Sequence, residues 1–451
     1  MKLLHHADVL VCMDDARTEI ADGALVWRDG VILAVGTSAQ LAHLAEDANE
    51  VIDATGCVVT PGLVNTHHHL YQSLTRALPG AINVSLFGWL KRLYPIWARY
   101  TPDDVFAAAQ LGLAELALSG CTMSSDHHYL FPEGVTLDDS IHAAMQVGLR
   151  FHATRGSMSV GESKGGLPPD SVVEDEDAIL ADTVRVIDRF HDPREGAMLR
   201  VAVAPCSPFS VSTDLMREAA LLARDKGVMM HTHLAEDADD VAFSLERFGC
   251  RPGQYAQDLG WIGPDVWHAH CVQLDAAEID LFARTGTGIA HCPCSNCRLG
   301  SGIAPLRAML DAQVPVGLGV DGSASNDSGH LLAEARQAML LQRVTQGADR
   351  FDPREALHLA TRGGARVLGR SDVGSLEVGK RADLAVWDMA DVSSTGAWDK
   401  VAGLVLSPPT QARDVFVEGR AVVRDADLVQ VSRKDVLRAA ARSLERLMTF
   451  A

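Results

Sequence analysis

The stretch "PGLVNTHHHLYQSLTR", Pro61–Arg76, decides the architecture. A short apolar run ends in three consecutive histidines. Burying imidazoles is costly unless they are partnered, so a histidine cluster at the end of an apparent core strand demands partners elsewhere in the chain. The same texture recurs downstream. Eight strand candidates are "GLVNTH" (62–67), "CTMSSD" (121–126), "LRFHAT" (149–154), "LRVAVAP" (199–205), "GVMMHTH" (227–233), "VWHAHC" (266–271), "TGIAHC" (287–292) and "VGLGVD" (316–321). Amphipathic stretches fall between them. Thr101 reads as an N-cap with Pro102 at N1 and Asp103 and Asp104 behind it, ahead of an apolar run to Leu118 and a glycine stop. "STDLMREAALLARDKG" (212–227) repeats that plan. Eight strand–helix units predict an α/β protein whose parallel sheet closes into a (β/α)8, TIM-like barrel.

The ends of the chain read differently. "ADVLVCMD", "GALVWRDGVILAVG" and "VIDATGCVVTP" near the N-terminus, and "GSLEVGKRADLAVWD" and "ARDVFVEGRAVV" near the C-terminus, are β-branched runs cut by Gly and Asp. They predict a small β-sandwich built from both termini, with residues 1–60 as its first part, 61–370 as the barrel, and 371–451 as its second part plus a terminal helix.

The totals agree with a large globular core: 451 residues, 47% hydrophobic. A formal net charge of −19 repels phosphate backbones and anionic lipid, which argues against nucleic-acid and membrane partners and for a small-molecule ligand. The N-terminus shows no signal-peptide pattern, and nine scattered cysteines suit a reduced, cytoplasmic protein. "HCPCSNCRLGSG" (291–302) matches the P-C-x-x-C half of the cytidine-deaminase zinc signature, but the H-x-E half is absent, so its thiols are not expected to hold zinc.

In a barrel of this kind the C-terminal strand ends form the active face. Those ends carry His67 and His69, His231 and His233, His268 and His270, His291 and Asp321. Residues i and i+2 of an extended segment point the same way, so His67 and His69 face the axis together while His68 faces away. Two imidazoles from one strand, a third from across the barrel and one carboxylate make an N3O site for a single divalent metal, zinc or iron(II). The fourth strand, "LRVAVAPCSP", has no lysine of the kind that bridges two metals. His5, His6, His43, His142, His191 and His358 read as surface, loop or helix residues.

The set resembles the amidohydrolase superfamily over nearly the whole chain. Pro61–His69 is similar to its P-G-x-x-x-x-H-x-H motif, "HTHLAED" to its H-x-x-E signature, "HAHC" to its sixth-strand motif, and "GVDGSASND" to its eighth-strand aspartate motif. The resemblance implies His67, His69, His233 and Asp321 as metal ligands, Glu236 as proton shuttle, His270 as stabiliser of the oxygen that becomes the product carbonyl, and Asp321 also as general base. "HHHLYQSLTR" resembles the first-strand loop of the mononuclear aminohydrolases of purines, pyrimidines and triazines. "SSDHHYLFP" and "TRGSMSVGESKGGLPPDSVVEDED" look like the corresponding loops of 8-oxoguanine deaminases and hydroxyatrazine ethylaminohydrolases. The implied activity is ammonia release from a 2-amino-oxopurine or a related pyrimidine such as isocytosine, with one Zn2+ or Fe2+. N-ethylaminohydrolysis of a triazine, cyclic-amide hydrolysis and non-catalytic purine binding are the alternatives. Gln72, Trp97 (with Trp89), Tyr129 and Arg155 are the candidates for holding the nucleobase. Barrels of this size commonly associate, so a homo-oligomer is expected.

Overall fold

The computed structural model describes residues 1–450. Five strands open the chain: β1 (Lys2–Val11), β2 (Glu19–Arg28), β3 (Val31–Thr37), β4 (Glu50–Asp53) and β5 (Cys57–Pro61). The next eight are β6 (Leu63–Asn65), β7 (Cys121–His128), β8 (Arg150–Ser157), β9 (Leu199–Pro205), β10 (Met230–Leu234), β11 (Val266–His270), β12 (Gly288–His291) and β13 (Val316–Leu318). Last come β14 (Leu384–Asp388), β15 (Asp414–Val417), β16 (Arg420–Arg424) and β17 (Asp427–Leu428).

Strands β6 to β13 pair in chain order and in parallel, so every expected barrel strand is present. Their side chains are almost all buried, as helix-covered parallel strands require. The seam between β13 and β6 is closed by single bonds. The Thr66 N–H and hydroxyl both donate to the Leu318 carbonyl at 2.9 Å, and Val320 N–H donates to Asn65 Oδ1 at 2.9 Å. The helices obey their local sequence. Thr101 and Asp104 form a capping box on Pro102–Leu118, and Ser212 caps Thr213–Lys226, which ends on left-handed Gly227.

The other nine strands form one sheet, β17-β16-β15-β14-β5-β1-β2-β3, with β4 also paired to β1. The expected sandwich arises because this sheet doubles over. Trp27 on β2 and Phe416 on β15 stack edge to face with ring centroids 5.3 Å apart, although three strands separate them in the sheet. β1 serves two partners: Lys2–His5 pair with β4 and Val9–Leu10 with β5. The pairing of β1 with β2 shifts register between Leu4 and Ala7, where His6 takes a left-handed φ of 58°.

Arg150, at the start of β8, joins barrel and sheet. It is fully buried; Nε donates to Asp383 Oδ2 at 2.6 Å, Nη2 to Asp383 Oδ1 at 2.9 Å, and Nη1 to the Gly196 carbonyl at 2.6 Å, with Glu418 also paired. Removing one member of such a pair strands the other charge. Arg150→Met is therefore expected to cost about 3–5 kcal/mol in urea unfolding; a loss under about 1 kcal/mol would show that the joint contributes little.

Candidate active site

β6 stops at Asn65, two residues before the first histidine of the triplet. The chain stays extended through His69 and then tightens into a 3-10 turn, Leu70–Leu74, pinned by Leu70 N–H donating to Asp126 Oδ1 at 2.8 Å. His67 and His69 therefore converge, while His68 turns the other way against the helix Pro102–Leu118. Gly112 makes room there, since a Cβ on it would lie 2.7 Å from Ser73 Oγ and 3.6 Å from His68 Nε2.

The hydrogen bonds fix the tautomers of the converging rings. His69 Nδ1 lies 2.7 Å from the His127 carbonyl and His233 Nδ1 2.6 Å from the Cys206 carbonyl. A carbonyl only accepts, so both Nδ1 atoms carry the proton and both Nε2 atoms present lone pairs. His231 Nδ1 donates in the same way to the Trp267 carbonyl at 2.8 Å, so its Nε2 accepts from His67 Nδ1 at 2.8 Å. His67 Nε2 is thus a third lone pair. Burial pushes the His67 and His233 rings well below the ordinary imidazole pKa, which keeps them neutral.

These lone pairs meet each other and a carboxylate. His69 Nε2 and His233 Nε2 are 3.1 Å apart, and Asp321 Oδ1 is 3.2 Å from both His67 Nε2 and His69 Nε2. No hydrogen is available between them, and His67 Nε2 and Asp321 Oδ1 have no hydrogen-bond partner. Four acceptors so arranged repel one another unless a cation lies among them, and N3O donors suit zinc or iron(II).

Across from the cluster, Glu236 is buried, with Oε2 3.6 Å from His270 Nε2. Burial, reinforced by the nearby carboxylates of Asp321, Asp237 and Asp240, raises its pKa well above the ordinary carboxyl value. His270 Nδ1 donates to Asn296 Oδ1 at 2.9 Å. A narrow cleft opens over this group, walled by Gln72, Trp89, Tyr129 and Phe209 among others.

Residues 58–422 match the amidohydrolase family. The chain belongs to that family. This amidohydrolase hydrolyses C–N bonds, and its family binds a metal. It is 48% identical over 401 residues to the 8-oxoguanine deaminase of Pseudomonas aeruginosa, an alignment covering 88% of this chain and 89% of that one. It is 39% identical over 402 residues to the hydroxydechloroatrazine ethylaminohydrolase of Pseudomonas sp. strain ADP, covering 86% and 83%. The solved structure of atrazine chlorohydrolase from Arthrobacter aurescens TC1 complexed with zinc superposes with a TM-score of 0.94 at 33% identity, over 98% of this chain and 100% of that one. Among the described residues no helix is long and apolar enough to cross a membrane.

The structure brings His67, His69, His233, His270, Glu236 and Asp321 of the amidohydrolase together at the barrel mouth. Gln72 and Tyr129 reach the cleft. Both amide atoms of Gln72 are buried without a partner, and the amide packs so closely on Gly322 that a Cβ there would lie 1.8 Å from Oε1. Trp97 does not reach the cleft. It lies behind Trp89, with ring centroids 5.4 Å apart, and donates Nε1 to Thr75 Oγ1 at 3.1 Å; Trp89 is the tryptophan at the wall.

Arg155 corrects the sequence-based reading. Its guanidinium donates to Glu174 and Asp182, each at 2.7 Å, and lies 4.0 Å above the Phe131 ring. Two carboxylates already neutralise it, and it does not line the cleft. Glu174, in a loop, and Asp182, on the helix Glu176–Phe190, are distant enough in sequence to leave no local signal. His127 is the residue that sequence reasoning passed over. It is the last but one residue of β7, in "SSDHHYLFP", and it offers a ring nitrogen within 4.8 Å of those of His67, His69 and His233. Its position at a strand end was the available signal.

Proposed function

We propose that this amidohydrolase is a zinc-dependent aminohydrolase converting 8-oxoguanine and water to urate and ammonia. The observation that carries the reading is the knot of acceptor lone pairs facing a buried carboxyl group whose surroundings favour its protonated form, both at the floor of one cleft. The 48% identity to an 8-oxoguanine deaminase supports the choice of substrate.

His67, His69, His233 and Asp321 would hold a divalent ion, which would supply a water acidic enough to ionise near neutrality. Asp321 takes the proton that this water loses. Glu236, protonated at rest, gives its proton to the ring nitrogen beside C2 as oxygen adds to that carbon. The proton left on the added oxygen passes through Glu236 to the 2-amino group, which departs as ammonia as the C–N bond breaks, and the proton held by Asp321 then restores Glu236. His270, whose Nδ1–H is held by Asn296, accepts at Nε2 from the O–H left on the added oxygen, the one that becomes the new carbonyl. Gln72, with donor and acceptor both unused, reads a polar edge of the purine, and Trp89 and Tyr129 give it apolar walls. The two carboxyl groups thus perform separate tasks because their surroundings differ: one lies among imidazoles, the other among acids and apolar walls.

The test is ammonia release by zinc-loaded protein from 8-oxoguanine, guanine, isocytosine and hydroxyatrazine. The expected result is fastest release from 8-oxoguanine, with urate formed in equal amount. Ethylamine from hydroxyatrazine, with no ammonia from any purine, would instead assign the activity of the 39% identical relative.

A further inference from the structure

The segment Pro293-Cys294-Ser295-Asn296-Cys297 carries two thiols that take no part in the ligand cluster. The two residues between the thiols do touch it. They lie on the short helix Pro293–Leu299, which follows β12. β12 stands between β11, which ends in His270, and β13, which leads to Asp321. Successive residues on a helix point about 100° apart, so a consecutive pair rising from the middle strand can reach one neighbour on each side. Ser295 Oγ donates to Asp321 Oδ2 at 2.5 Å, and Asn296 Oδ1 accepts from His270 Nδ1 at 2.9 Å.

We infer that Ser295 and Asn296 are a pair of positioning residues for the reaction. Ser295 turns Asp321 so that Oδ1 alone faces the imidazole cluster, and Asn296 holds His270 as its Nδ1–H tautomer. This rests on the proposed roles of Asp321 and His270. Three observations support it. His270, the last residue of β11, and Asp321, three residues beyond β13, have left-handed φ values of 70° and 60°, so the backbone turns sharply at each and the side chain needs outside support. Asp321 Oδ2 is taken by hydroxyls, Ser295 at 2.5 Å and Ser325 at 2.9 Å, while Oδ1 is left to the ligand cluster. Neither Ser295 nor Asn296 serves the helix itself, whose N-cap is Cys292 with no side-chain cap bond. Both are buried, and Cys294 N–H at the start of the helix is tied to Glu334 Oε2 at 3.0 Å, so the pair sits on an anchored platform.

The experiment measures zinc release from the loaded enzyme to a chromogenic chelator, without substrate, beside kcat and KM on whichever amine-releasing substrate the wild type turns over. Ser295→Ala is expected to release zinc about 10–100-fold faster, as is usual when an outer partner of a ligand is lost. Ser295→Thr, which keeps the hydroxyl, should stay within about threefold of wild type on that same scale. Ser295→Gly gives a second reading should the alanine variant fold poorly. Asn296→Leu should lower kcat about 10–100-fold with KM and zinc release little changed, and Asn296→Asp, which restores an acceptor, should recover at least about tenfold of that loss. Unchanged zinc release in both Ser295→Ala and Ser295→Gly overturns the role of Ser295, and unchanged kcat in Asn296→Leu overturns that of Asn296. Faster zinc release from Ser295→Ala in an enzyme that deaminates no nucleobase would support the Ser295 assignment and refute only the proposed substrate.

Discussion

Glu236→Gln is expected to keep its metal and lose about 10²–10⁴-fold in turnover, the usual contribution of a general acid–base group. The substitution is nearly isosteric and leaves the lone-pair cluster of His67, His69, His233 and Asp321 intact, so zinc content should equal that of the wild type. The lost property is the proton. Burial and three neighbouring carboxylates push the Glu236 pKa up, which favours its protonated form. As pH rises through that pKa the proton is lost, so wild-type kcat/KM should fall on the alkaline side. Stability carries the same sign. A carboxyl whose folded pKa is raised contributes fully below its unfolded pKa and loses that contribution as pH rises through the folded value. The metal-free glutamine variant should therefore gain in Tm relative to metal-free wild type as pH increases. Turnover within tenfold of wild type would remove Glu236 from the mechanism.

The parts of this site legible in the sequence were those with short-range signals. H-x-H spacing places His67 and His69 on one side whether the backbone is a strand or, as here, an extended segment beyond the end of β6. Thr101, Pro102 and Asp104 announce a helix through bonds confined to four residues. The misreadings came from long-range contacts. Arg155 looked free because Glu174 and Asp182 reach it only through the fold of a loop and a helix. Trp89 and Trp97 are equivalent in sequence, and only the packing of their helix shows which one faces the cleft. Ser295 and Asn296 sat in plain view between two cysteines, but their meaning depends on which strands flank β12.

Asp321→Asn should abolish the stability that metal adds and raise the melting temperature of the metal-free protein. In the wild type four acceptors converge, the closest pairs 3.1–3.2 Å apart, an arrangement that a bound cation stabilises. Metal at about 1,000 times its Kd then adds roughly 4 kcal/mol by linkage, so chelation should lower the wild-type Tm markedly. The hydroxyls of Ser295 and Ser325 dictate how an amide would sit at this position. Both donate to Oδ2, so the amide oxygen must take that place and the NH2 group must take the place of Oδ1. There it can donate to His67 Nε2 and His69 Nε2, each 3.2 Å from the atom it replaces. The substitution converts a repulsive knot into a hydrogen-bonded one and puts two hydrogens where the ion would bind. Metal-free Asp321→Asn is thus expected to melt above metal-free wild type, to gain nothing from added zinc, and to lose at least about 10⁴-fold in turnover, the scale of removing a central catalytic group. Differential scanning calorimetry with and without zinc reads the first two effects directly. If the variant still binds one zinc per chain and is stabilised by it as the wild type is, Asp321 is not the ligand that completes the cluster.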